Sequence, residues 1–328
     1  MATRQLDIYA PQSYEDFVNE IVAAHDGAGI WRETMPEDLI HIQVLVSADE
    51  SGPVLDALEA RLSGAEGFRI VIIPVEASIP RAEKAEKKEN GIVGAFPRIS
   101  REELFADISE TIELNKVYLL LVVLSTLVAA VGLMQDSVAA IIGAMVIAPL
   151  LGPNVGLCLA TTLADSKLGF KAAKTLIVGL FFALFLSIAF GFVLPIDPNI
   201  GEIAARTKVS YGDIIIALSS GCVGVLAFTT ALPTMLVGVM VAVALLPPLV
   251  VTGLLIGAGQ YDGALGALLL LSTNLICINL AGVLTFYLQG IRPLTWWETE
   301  KAKKATKKTL LIWLILFAVL LVLIALSK

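Results

Sequence analysis

Histidine and cysteine are scarce: the 328 residues include two His and three Cys. There is no Cys-x-x-Cys pair, no His-Glu-x-x-His zinc motif and no disulfide framework. Cys158, Cys222 and Cys277 all fall in apolar stretches and read as small buried hydrophobes. His25 at a helix end and His41 on a strand have no Cys or carboxylate cluster beside them, so neither metal nor cofactor is expected. Charge is thin as well. Charged residues make up 16% of the chain against 57% hydrophobic ones, where a soluble domain carries about 25%. With a mean hydropathy of +0.82, the apolar residues exceed what one water-soluble core can hide, and most of the chain is expected in lipid. A cytosolic enzyme, a disordered chain and a secreted disulfide scaffold are excluded. Net charge −7 and a pI of about 5.0 leave no basic face for nucleic acid.

The charge that exists is unevenly placed. Residues 1–115 hold 10 Lys and Arg against 22 Asp and Glu, whereas residues 116–328 hold 13 against 8. An acidic, soluble-looking part therefore precedes a membrane part with a basic bias. Met1–Ala10 is mixed and polar, without the apolar core of a signal peptide, which puts the N-terminal part in the cytoplasm.

Within residues 1–79, RQLDIYAP (4–11), Gly29–Arg32, LIHIQVLVS (39–47) and FRIVIIPV (68–75) read as strands. Helices are expected from Ser13, with Phe17, Ile21, Val22 and Ala24 inward, and from Pro53, with Val54, Leu55, Leu58 and Leu62 inward. The order β-α-β-β-α-β is that of a ferredoxin-like α+β domain. Residues 80–116 form a charged linker and an amphipathic helix bearing Leu104, Phe105, Ile108 and Ile112.

A bilayer needs about 20 apolar residues per helix. Seven windows qualify, near 117–134, 137–163, 170–194, 211–229, 233–258, 262–288 and 309–326. Placing the N-terminus inside keeps Lys167, Lys171, Lys174, Arg292, Lys301, Lys303, Lys304, Lys307 and Lys308 inside and the C-terminus outside. Trp296 and Trp297 sit at that inner boundary, in the basic interfacial segment that opens residues 289–328. GAMVIAPLLGP (143–153) matches GVMVAVALLPP (238–248) as G-x-M-V-x-x-x-L-L-x-P. The match joins a first three-helix unit (117–194) to a second (195–288). Three crossings per unit make the second inverted, as in many secondary transporters.

Pro149 and Pro153 in the second window, and Pro247 and Pro248 in the fifth, are expected to break their helices, because each lacks an N–H and clashes with the preceding turn. Carbonyls freed in lipid need a partner. A midplane binding or permeation site is therefore expected at Pro149, Gly152, Pro153, Asn154, Pro247 and Pro248, with Asn274 and Asn279 of the sixth window. Kinked, tightly packed helices are the competing reading. Asp136 and Asp213 fall at helix ends, where they suit N-caps. No Lys, Arg, Glu or His lies deep in any window, which argues against a charged proton relay and against intramembrane catalysis. The partners expected are the lipid bilayer, further copies of the chain and a small-molecule or ion substrate, with no nucleic acid.

Leu127–Pro153, reading LxxxVGLxxDSxxxIIGAMVIAPLLGP, and Gly238–Gly259, reading GVMVAVALLPPLVVTGLLIGAG, resemble the prokaryotic membrane family known as domain of unknown function 389. The resemblance covers roughly residues 105–290. It implies a bacterial or archaeal inner-membrane protein and carries over no substrate and no site residue. The expectation is a transporter or channel-like protein, not an enzyme, with a cytosolic domain that regulates or oligomerises it; the alternative is a membrane-anchored sensor or scaffold.

Overall fold

The structure is a computed structural model that describes residues 3–25, 27–36, 38–75, 100–230 and 234–291, with positions 311, 313, 315 and 318. The linker at 80–99, the interfacial segment with Trp296 and Trp297, and nearly all of the seventh window lie outside the described residues. The chain divides into two compact units, Met1–Ala106 and Asp107–Lys328.

The first unit holds strands β1 (Thr3–Pro11), β2 (Ala28–Met35), β3 (Leu39–Ser47) and β4 (Arg69–Val75), with helices α1 (Glu15–Ala24) and α2 (Ala48–Leu62). The sheet runs β2-β3-β1-β4 and every neighbouring pair is antiparallel, so β3 lies between β1 and β2. Alternation buries Leu6, Ile8 and Ala10 of β1 against Ile40, Ile42, Val44 and Val46 of β3, with Val18, Val22, Leu58 and Leu62 of the helices. Of the face expected for α1, Val22 is in the core with Phe17 and Ile21 packed against it; Val18 joins it and Ala24 is exposed. α2 begins five residues before Pro53, whose missing N–H deprives only the Asp49 carbonyl in the first turn. Arg4, on the core face of β1, is buried and paired with Glu103 at 2.9 Å. On the open face, Tyr9 stacks on His41 with centroids 4.4 Å apart. Asp7 accepts from Gln5 at 2.9 Å, and Trp31, Val71 and Ile73 are exposed.

Helix α3 (Arg101–Thr111) carries the division between the units. The second unit then contains α4 (Lys116–Met134), α5 (Val138–Ile147), α6 (Leu151–Leu163), α7 (Ser166–Val193), the short α8 (Gly201–Ala204), α9 (Tyr211–Thr229), α10 (Thr234–Gly257) and α11 (Tyr261–Leu288). Helices α4, α7, α9 and α11 are each long and apolar enough to cross a membrane, and α5 with α6 makes a fifth if that bent pair is one span. Asn115 caps α4 by accepting from Tyr118 N–H, and Asp165 caps α7 by accepting from Lys167 and Leu168.

Helix α7 shows the packing, with one contact side and one outer side. The buried side of α7 is built mostly from small residues, Ala172, Thr175, Gly179, Ala183, Ser187 and Gly191, with Leu168 and Leu176. Its outer side presents Ile177, Phe181, Phe185 and Phe192. Small residues at the contacts and large apolar ones outside suit lipid, where helices associate through close backbone approach. At the α7–α10 crossing, a Cβ on Gly191 would strike the Leu254 carbonyl, and one on Gly257 the Ile188 carbonyl. At the α6–α11 crossing, a Cβ on Gly282 would lie 2.5 Å from Cys158 Sγ.

Two sets of helices share their bounds under a shift of 95 positions: 116 to 211, 134 to 229, 166 to 261 and 193 to 288. Neighbours shift likewise. Helix α4 packs on α7 as α9 does on α11, and α10 packs on α7 as α6 does on α11. Gly253 opposes Ser187, and 95 positions away on each side Cys158 opposes Gly282.

One expected break is present and one is not. Helix α5 ends at Ile147, and Ala148 adopts ψ 120° as the residue before Pro149. Leu150 N–H returns to the Ala148 carbonyl at 2.9 Å, and α6 leaves at a bend of 54°. Helix α10, by contrast, runs unbroken through Pro247 and Pro248. The proline common to both sequence runs is Pro153, matched by Pro248; it sits in the first turn of α6, where an N–H is dispensable. Pro149 makes the break, and the matching residue in α10 is Ala244.

Replacing Gly257 by Leu pushes a side chain into main chain that has no room to yield. We expect a loss of about 1–3 kcal/mol, read as a lower melting midpoint in detergent. Gly143→Ala meets nothing within 4 Å and, inside a helix, should raise the midpoint slightly rather than lower it.

Candidate functional site

Pro248 has no N–H to give the carbonyl four residues earlier, that of Ala244. In an apolar interior an unmatched carbonyl costs about 1–3 kcal/mol. Asn274, on α11, donates its Nδ2 to that carbonyl at 2.7 Å. The amide thus replaces the hydrogen bond that the proline removed, and α10 keeps its course. Asn274 is 4% exposed, and its Oδ1 has no partner among the described residues. Turning the amide over would set oxygen against oxygen, so its orientation is fixed by chemistry.

The other two asparagines meet between α6 and α11. Asn154 and Asn279 are fully buried, and Asn279 Nδ2 donates to Asn154 Oδ1 at 3.3 Å. Each also returns a proton to its own helix: Asn154 Nδ2 to the Leu150 carbonyl at 2.7 Å, Asn279 Nδ2 to the Leu275 carbonyl at 2.9 Å. Cys158 Sγ lies 3.6 Å from both the carbonyl and the Oδ1 of Asn279. Asn274 and Asn279 stand five residues apart on α11, about 7.5 Å along its axis. Helix α11 therefore offers one amide to each proline-bearing element, α10 and α6.

The remaining expected residues are placed as follows. Pro149 is half-buried at the break. Pro153 is buried in the first turn of α6, and Pro247 is buried within α10. Gly152 faces the end of α3, where a Cβ would come 2.7 Å from Thr111 Oγ1. Asp136 is not the N-cap of α5; that role falls to Ser137. Asp136 takes φ 52° and accepts instead from Glu202 N–H at 2.8 Å, at the start of α8. Asp213 is the third residue of α9, closing a capping box with Ser210.

Cys158 reads in the sequence only as a small buried hydrophobe, and its approach to Asn279, 121 positions away, has no mark there. Ala244 has no polar side chain; counting four back from Pro248 is the signal that finds it. The chemistry of the site is neutral. It offers amide and main-chain oxygens, and the acids of α9 and α11, Asp213 and Asp262, stand in their first turns.

A helical unit of this kind, small inside and apolar outside, is compatible with a membrane protein. Residues 145–280 match the family described as "Domain of unknown function (DUF389)", a stretch that contains all three asparagines. An uncharacterized protein of Methanocaldococcus jannaschii, MJ0678, is 39% identical over 325 residues, covering 99% of each chain. The chain belongs to this uncharacterised family. No solved structure matches it.

Asn279→Leu would strand Asn154 Oδ1 without a donor, and we expect a loss of about 1–3 kcal/mol. Asn154→Leu combined with Asn279→Leu removes both partners and should recover much of that loss. Melting midpoints of the single and double variants test this; additive losses would show that the two amides do not act as a pair.

Proposed function

We propose that the chain is a transporter or channel-like integral membrane protein. Its N-terminal unit is a ferredoxin-like cytosolic domain that regulates or oligomerises it. The observation carrying this reading is the 95-position shift relating α4, α5–α6 and α7 to α9, α10 and α11. Three crossings each would leave the second set inverted, the arrangement in which secondary transporters place a midplane site at interrupted helices. The bend between α5 and α6, with buried amides against α6 and α10, supports this reading. The strand order β2-β3-β1-β4 supports the ferredoxin-like reading.

The proposed location is a prokaryotic cytoplasmic membrane, with the N-terminal unit inside and, on seven crossings, the C-terminus outside. The retained basic bias after the second and sixth crossings supports this orientation. Homo-oligomers are proposed to form through the open sheet face. Cross-strand registers put Glu33, His41, Tyr9 and Arg69 in one row across that face. A second copy turned about an axis along the strands would set Glu33 against Arg69 at both ends. The competing reading, a sensor or scaffold anchored by a closed bundle, draws on α10 running unbroken through Pro247–Pro248. No enzymatic activity is proposed.

Glu113→Cys and Lys208→Cys, equivalent under the shift and placed in a cysteine-free chain, should react with an impermeant maleimide from opposite membrane faces. Reaction from the same face would remove the inversion. In proteoliposomes, flux above protein-free vesicles in a panel of alkali cations, amino acids and neutral solutes is expected, reduced by Asn154→Leu and Pro153→Ala. Flux at the protein-free level throughout would leave the scaffold reading.

A further inference from the structure

Pro149, Pro153, Pro247 and Pro248 remove four N–H donors, so the carbonyls of Met145, Pro149, Val243 and Ala244 have no donor four residues on. The side chains nearby add few donors. The Asn274 amide is committed to the Ala244 carbonyl. The amides of Asn154 and Asn279 are committed to Leu150 and to Leu275 and Asn154. The hydroxyls of Thr252, Ser272 and Thr273 each donate to their own helix, at 2.7, 2.8 and 2.7 Å. On the acceptor side, Asn274 Oδ1 remains buried and unpartnered among the described residues. Among the described residues the α10–α11 contact therefore has acceptors in excess of donors.

An excess of oxygen acceptors repels an anion and attracts a cation. Divalent ions need carboxylates to compensate their dehydration, and the acids of α9 and α11 stand only in first turns, with none in α10. We propose that Asn274 Oδ1, with the proline-freed carbonyls of α10, holds a dehydrated monovalent alkali cation. The inference deepens the transport reading and rests on it for the role of the ion, as substrate or coupling ion. The binding itself is testable without flux. Pro248 is what leaves the Ala244 carbonyl open to Asn274. An N–H at position 248 would draw that carbonyl back into the helix and weaken the site.

The test uses the purified full chain in lipid nanodiscs. Its melting midpoint is followed against NaCl, KCl and N-methyl-D-glucamine chloride at constant ionic strength. A saturable rise with Na⁺ or K⁺, absent with N-methyl-D-glucamine, is expected. Asn274→Leu should abolish the rise, and Asn279→Leu, on the other flank of α11, should retain it. Pro248→Ala, which restores a helix donor and should fold, is expected to weaken the apparent cation affinity about tenfold. Equal midpoints in all three salts, or a saturable rise that survives both Asn274→Leu and Pro248→Ala, would overturn the proposal. Proteoliposomes loaded with ²²Na⁺ or ⁸⁶Rb⁺ separate the two readings. Saturable binding without flux of any solute leaves the site standing and removes transport. Equal midpoints in all three salts, with solute flux indifferent to alkali cations, remove the site and leave transport.

Discussion

A carbonyl without a donor is tolerable in water and costly in an apolar bundle, and this constraint organises the second unit. Its proline-bearing elements answer it differently. In α5–α6 the main chain yields: Ala148 turns extended ahead of Pro149, and a second helix begins at Leu151. In α10 the main chain holds, because Asn274 brings a side-chain N–H to the carbonyl that Pro248 deprives. Helix α11 serves both elements, with Asn274 toward α10 and Asn279 toward Asn154 of α6. Of these amides only that of Asn274 meets a carbonyl deprived by a proline; Asn154 and Asn279 tie α6 to α11.

The rest of the unit follows from close approach. Helices in lipid gain little from burying apolar side chains against each other, so backbones must come near. Gly191, Gly253 and Gly257 do this at the α7–α10 crossing, and Gly282 against Cys158 does it at the α6–α11 crossing. The large residues of α7 turn outward. These two crossings correspond under one sequence shift in their contacts as well as in their composition.

Legibility in the sequence tracked the range of the interaction. Apolar windows and strand alternation are local, and α4, α9 and α11 fall within a residue or so of the expected bounds. The element order of the first unit was readable from alternation and helical spacing, whereas the strand order β2-β3-β1-β4 comes from the structure. On α1 the face of Phe17, Ile21 and Val22 was legible, but Val18 joins the core and Ala24 does not, because an apolar stretch without a sharp polar boundary leaves its edge unmarked. The break at Pro247–Pro248 was wrongly expected because its remedy, Asn274, is 30 positions from Ala244 and on another helix. The Asn154–Asn279 pair spans 125 positions, a distance no motif encodes. The asparagines could be named from their polarity alone, but their partners could not.

The proposed inversion is tested most directly by electron cryo-microscopy of the chain in lipid nanodiscs. The account predicts that residues 116–193 superpose on residues 211–288 after a half-turn about an axis in the membrane plane, helix for helix. It also predicts that α11 lies between α6 and α10. Two halves crossing the bilayer in the same sense, or failing to superpose, would contradict it.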